Sequence, residues 1–236
     1  MQTQLAPQFA NTPEGIEAAR ILGKCVHCGF CTATCPTYQI LGDELDGPRG
    51  RIYLIKQMAE GQAPTEKTRM HLDRCLTCRN CESTCPSGVQ YGNLVDIGRK
   101  WAEENTPERP LGQRLTRWAL KEGLTSPKLF NSAMAIGRLV RPLMPTGIQR
   151  KIPEAKNKAL SSNTDPYARP KASHSRKMLL LEGCVQPGML PNINSATARV
   201  LDALKIELIS APNATCCGAL RYHLNDQAGG LDNAKQ

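Results

Sequence analysis

The stretch CVHCGFCTATCPTY, residues 25–38, returns in altered form as CLTCRNCESTCPSG, residues 75–88. Cys25, Cys28, Cys31 and Cys35 recur as Cys75, Cys78, Cys81 and Cys85, each displaced by 50 positions, and Pro36 recurs as Pro86. One ligand loop is therefore present twice, the form of a duplicated cluster-binding unit. Two-residue spacers let three successive thiolates wrap three corners of an iron-sulfur cubane. The fourth cysteine, three residues on and followed by proline, reaches the other cluster in two-cluster chains of this spacing. The spacing predicts one [4Fe-4S] cluster on Cys25, Cys28, Cys31 and Cys85, and a second on Cys75, Cys78, Cys81 and Cys35. Zinc would use paired C-x2-C or include histidine, leaving the third and fourth cysteine of each copy without a role.

Working outward, the residues between the copies read as helix. Ile52, Ile55, Met58 and Ala59 lie on one helical face, with Pro48 near its start and Gly61 at its end. A shorter helix is capped by Thr65 and runs through Met70 and Leu72 into the second motif. Upstream, Thr12 and Pro13 start a helix whose predicted inner face is Ile16, Ala19 and Leu22. From Thr106 to Met144 the sequence reads as helices broken by prolines, with Leu115, Trp118, Ala119 and Leu143 among their apolar positions. Residues 145–176 collect Pro153, Pro166 and Pro170 among lysines, serines and asparagines, the composition of a linker.

After the linker the period changes. KMLLLE, residues 177–182, is a short buried-strand pattern, Ala196 to Leu204 is helical, and Ile206 to Ile209 is a second strand. A βαβ unit makes these strands parallel and puts both their C-terminal ends on one sheet edge. Cys184 follows the first strand; Cys216, Cys217 and Gly218 follow the second. They form a candidate additional metal or redox site, against the plainer reading of buried thiols beside a turn. The predicted fold class is thus mixed. An α-helical ferredoxin-type domain with two [4Fe-4S] clusters spans residues 1–105, helices and linker span 106–176, and the start of an α/β cysteine-rich domain spans 177–236.

Eleven cysteines in 236 residues would suit a disulfide scaffold only in an oxidising compartment. The N-terminal residues lack the basic and apolar segments of an export signal, and no apolar run approaches a membrane span. The expected location is therefore cytoplasmic, with thiols reduced or metal-bound. The formal charge of +9 falls to about +5 once two clusters contribute roughly two negative charges apiece. Nucleic acid is not an expected partner, whereas an acidic protein, or peripheral contact with lipid headgroups on the inner face of the cell membrane, remains compatible with the charge. His27 and Arg49, Arg51, Arg74 and Arg79 lie close to the ligand loops, as solvated side chains or as groups that tune or dock a cluster; His223 follows Gly218. Phosphate loops, G-x-S-x-G and H-E-x-x-H are missing from the sequence, so no substrate site or catalytic residue is assigned.

The run CVHCGFCTATCPTYQILGDELDGPRGRIYLIKQMAEG, residues 25–61, resembles the iron-sulfur subunits of glycolate oxidases. The likeness continues through HLDRCLTCRNCESTCPSGVQY and resumes at LEGCVQPGMLPNINSATARVLDALKIEL and APNATCCGAL. The resemblance implies a complex with an FAD-bearing subunit that oxidises glycolate to glyoxylate, with electrons passing through the clusters toward a quinone. It also implies that Cys184, Cys216 and Cys217 are the first part of a cysteine-rich domain found too in heterodisulfide reductases. The later C-x2-C and second CCG copy of that domain would lie beyond Gln236, so the sequence is read as C-terminally incomplete. Other readings are the iron-sulfur subunit of a glycerol 3-phosphate or lactate dehydrogenase, a zinc-held nucleic-acid module, and an iron-sulfur redox sensor.

Overall fold

The computed structural model describes residues 1–153, 168–170, 172–211 and 216–235. The chain divides into two units, Met1–Arg109 and Pro110–Gln236.

The first unit is helical. A short turn α1 (Pro7–Ala10) leads to α2 (Pro13–Lys24), which begins as its residues dictate: Thr12 accepts a hydrogen bond from Gly15 N and Pro13 occupies the first turn. Its buried face is Ala18, Ile21 and Leu22. The expected face at Ile16 and Ala19 is therefore wrong by a rotation, and Ile16 is 59% exposed. The error is physical: a short, alanine-rich helix offers several apolar stripes, and packing rather than sequence chooses among them. The first ligand loop contains α3 (Phe30–Ala33) and passes into α4 (Pro36–Leu41). After a 3-10 turn, Glu44–Asp46, comes α5 (Pro48–Ala59), which buries Ile52, Ile55, Met58 and Ala59. α6 (Glu66–Asp73) is capped reciprocally by Thr65 and Thr68. The second loop contains α7 (Asn80–Ser83), and α8 (Tyr91–Glu104) closes the unit.

The core joins α2, α5, α6 and α8 through Ile21, Leu22, Ile55, Leu72, Leu94, Val95 and Trp101. Full burial of each such aliphatic side chain is worth about 1.5–3 kcal/mol. α5 and α8 meet closely because Gly98 has no side chain: a Cβ there would lie 2.5 Å from Ile55 Cγ1. The carboxyl end of the unit is held by Arg109, whose guanidinium reaches Asp73 at 2.6 Å and also bonds Glu103.

The second unit begins with α9 (Leu111–Thr125) and α10 (Pro127–Val140), the expected proline-broken helices. Their apolar positions Leu115, Trp118 and Leu143 are exposed. A 3-10 turn, Arg141–Leu143, precedes α11 (Thr146–Gln149), so the segment expected to be linker opens with helix. Residues 154–167 and 171 of that segment lie outside the described residues. Strand β1 (Arg176–Leu180), α12 (Gln186–Met189), α13 (Pro191–Ala203) and β2 (Ile206–Ser210) follow, then α14 (Ala219–His223) and α15 (Gln227–Lys235). β1 and β2 pair in parallel, Met178 opposite Leu208, as the βαβ reading requires. The expectation that β1 is buried is corrected: Leu179 is 65% exposed and Met178 is exposed too. Two parallel strands with one crossover helix have too little structure to cover both faces.

Candidate metal centre

Each ligand loop is entered from a helix that ends in the same way. Cys25 N donates to Leu22 O, and 50 residues later Cys75 N donates to Leu72 O. The fourth cysteines match as well, Cys35 N bonding Thr32 O and Cys85 N bonding Glu82 O. Between them the backbone turns left-handed at alternate residues, at φ 56° for His27 and 86° for Gly29, and at 55° for Thr77 and 59° for Arg79. A β-branched threonine in that region is strained by about 1–3 kcal/mol, and such strain persists where a ligand clamp needs it. Left-handed residues at alternate positions turn backbone N–H groups toward one side, a nest for an anion. Thr77 N accordingly points to Cys75 Sγ at 3.4 Å, and His27 N bonds Cys25 in the same manner.

The two loops face each other through α3 and α7. Two cavities result. One, open to solvent, is lined by Cys25, Cys28 and Cys31 of the first copy together with Cys81 and Cys85 of the second. The other is lined by Cys75, Cys78 and Cys81 with Cys35. Each fourth cysteine thus stands among the first three of the opposite copy. Cys81, Pro48 and Tyr91 border both cavities and form the wall between them.

The donor set fits a cluster better than a single ion. In a tetrahedral zinc site, bonds of about 2.3 Å hold the sulfurs about 3.8 Å apart. Among the described residues, the one trio with ligand atoms all within 4.8 Å of one another is Asp43, Asp46 and His71, with no cysteine in it. The wider spread of the sulfurs suits thiolates placed outside the corners of a cubane. None of the cysteines is in a disulfide. Burial pushes the Cys31 thiol up to about 11 and Cys81 to about 12. At neutral pH these groups therefore ionise only with a metal to draw the proton off.

The carboxylate trio is committed to the protein itself. Asp46 is fully buried and meets His71 Nδ1 at 3.1 Å, Arg74 at 2.8 Å and Arg51 at 3.4 Å. Of the two readings of Arg51, the solvated one fails: it is wholly buried, donates to His71 O and Thr37 Oγ1 and borders the second cavity. Arg49 pairs with Glu44, and Arg79 lies over Gly92. His27 borders the first cavity, its Nε2 buried with no hydrogen-bond partner among the described residues. Burial and the Arg49 charge hold its imidazole below the ordinary value. Tyr91 was missed by sequence reasoning. Its hydroxyl donates to Cys75 Sγ at 3.7 Å.

In the second unit, Cys184 lies beside Cys216, near Cys217; burial and then the Cys216 charge push its thiol up. Gly218 adopts φ 77°, its N donates to Cys216 Sγ at 3.4 Å, and a Cβ there would lie 1.9 Å from Gly230 O. Cys216 is buried and Cys217 exposed. The three cysteines are therefore gathered, with one of them facing solvent.

Residues 21–89 match the 4Fe-4S dicluster domain family, and residues 178–236 match the cysteine-rich domain family. The chain thus carries a domain of the 4Fe-4S dicluster family followed by one of the cysteine-rich family. Over 235 residues it is 53% identical to the glycolate oxidase iron-sulfur subunit of Escherichia coli, covering all of this chain and 56% of that protein. It is 34% identical over 232 residues to a probable glycolate oxidase iron-sulfur subunit of Bacillus subtilis, covering 90% of this chain and 52% of that one. A succinate dehydrogenase iron-sulfur subunit of Coxiella burnetii is 28% identical over 122 residues, 48% of this chain and 51% of that protein. The chain therefore spans about half the length of these relatives. No solved structure matches it. Among the described residues, no helix is long and apolar enough to cross a membrane.

Proposed function

We propose that this chain is the electron-relay part of a flavin-linked glycolate oxidase or dehydrogenase, carrying electrons from an FAD-bearing subunit toward a quinone. The observation that carries the reading is the pairing of two cysteine-lined cavities across one wall, joined to the similarity that runs along this whole chain with about half of a glycolate oxidase iron-sulfur subunit. Cys25, Cys28, Cys31 and Cys85 would hold one [4Fe-4S] cluster, and Cys75, Cys78, Cys81 and Cys35 the other. Such clusters supply one-electron storage at a potential set by charge, hydrogen bonds and exposure. The chain's own contribution is to hold the two sites close, to keep water from the inner cysteines, and to leave an edge of each exposed. Cys28 and Cys78 are the exposed edges, beside the exposed apolar residues Val26 and Leu76.

Oxidation of the 2-hydroxy acid belongs to the flavin subunit in this reading, and peripheral contact with the inner face of the cell membrane would bring the relay to its quinone. Residues 1–105 are the relay domain, 106–176 the connection, and 177–236 part of a cysteine-rich domain whose Cys184, Cys216 and Cys217 form an additional redox or metal site.

The test is anaerobic co-purification with the flavin subunit, followed by addition of glycolate. Bleaching of the cluster absorbance by glycolate, but not by lactate or glycerol 3-phosphate, is expected. Full reduction by dithionite with no response to glycolate would reject the substrate assignment.

A further inference from the structure

The two cysteine sets look alike in sequence, yet the structure treats their sulfurs differently. Tyr91 is 4% exposed, opens α8, and stands in the wall between the cavities with its hydroxyl directed at Cys75 Sγ, 3.7 Å away. Its equivalent in the first copy is Leu41, which is exposed. Thr37 Oγ1 lies 3.2 Å from Cys35 Sγ, but its hydroxyl donates to Asp46 O at 2.7 Å and accepts from the buried Arg51. In the second set one side-chain hydroxyl therefore donates to a sulfur, that of Tyr91. The first set has no side-chain hydroxyl on its sulfurs among the described residues.

A donor directed at a ligand thiolate withdraws electron density from it and favours the state with one more negative charge. We propose that Tyr91 tunes the second site, its hydroxyl stabilising the reduced state of the group held by Cys75, Cys78, Cys81 and Cys35. The proposal rests on the two-cluster reading above. Tyr91 is not a ligand and touches no substrate; it acts through Cys75.

The experiment uses the full chain, purified anaerobically with its iron, and compares it with Tyr91→Phe. Phenylalanine keeps the ring in the wall and removes only the donor. Iron and sulfide are measured first, then potentials by a dithionite titration followed by electron paramagnetic resonance. The expected result for Tyr91→Phe is unchanged iron, one reduction step displaced about tenfold toward the oxidised form, and the other step unmoved; tenfold is about 59 mV for one electron. Full iron with neither step moved in Tyr91→Phe overturns the proposal alone. A parent chain holding a single cluster overturns the two-cluster reading and the proposal with it.

Discussion

Thr84 donates its hydroxyl to that of Thr34 at 3.4 Å. These residues occupy the same position in the two copies of the ligand loop, and a residue that meets its own equivalent lies on an approximate twofold axis, as at a symmetric dimer interface. Cys35 and Cys85 come next in each copy. Standing beside the axis, each is carried to the opposite loop, which gives the crossed arrangement a geometric cause.

The crossing predicts which alanine variants share a defect. Cys25→Ala and Cys85→Ala should leave the same residual electron paramagnetic resonance signal, that of the second site. Cys75→Ala and Cys35→Ala should leave the other. Pairing of Cys25→Ala with Cys35→Ala would show that each copy holds its own cluster.

His27 is expected to act on the first site alone. Its orphaned Nε2 at that cavity has an unmet hydrogen bond, which a buried polar atom retains only where a further group meets it. His27→Asn suits the left-handed backbone at φ 56° and shortens the side chain. A redox titration should show one step displaced downward by up to about tenfold, and it should be the step that Tyr91→Phe leaves alone.

The elements whose beginnings are chemical were legible in the sequence. Thr12–Pro13, Thr65 and Pro48 fix helix starts through a cap or a preset φ, and α2, α6 and α5 begin there. Cysteine spacing likewise singled out the eight sulfurs that line the two cavities. What it lacked was the third dimension. Ile16 and Ile21 are equally apolar, yet only Ile21 is buried, and the difference depends on where α5 and α8 lie. Whether Arg51 is solvated stayed open because nothing local shows that Asp46 and the His71 carbonyl enclose it. Tyr91 lies outside both motifs; the one available signal was an aromatic residue shortly after the second loop in a chain poor in aromatics.

Gly218→Ala should disrupt the second unit. The residue sits at φ 77° and a Cβ would strike Gly230 O at 1.9 Å, so strain and clash together cost about 2–3 kcal/mol or more. Denaturant unfolding should show a lower midpoint for the transition of that unit, with the cluster absorbance lost at its usual denaturant concentration.

Arg221 joins α14 to Asp226 at 2.9 Å and to Glu122 of α9 at 2.8 Å. Burial alone would raise the Asp226 carboxyl, but the Arg221 hydrogen bond, the Gly229 N–H and the charges of Lys121 and Arg221 together outweigh it and hold the group below its ordinary value. A depressed carboxylate contributes stability that is present above its unfolded value of about 3.9 and is lost as pH falls through the lower folded value. Asp226→Asn should therefore lower the thermal midpoint at pH 7 by an amount matching about 1 kcal/mol. The gap from the parent should close below about pH 4. A gap independent of pH would assign the loss to packing.

Whether the eight repeated cysteines hold two four-iron clusters is decided by Mössbauer spectroscopy with iron and sulfide analysis of the anaerobically purified chain. About eight irons and eight labile sulfides per chain are expected, with spectra of the [4Fe-4S] type throughout. About four irons, mononuclear iron, or zinc in place of iron would contradict the two-cluster reading.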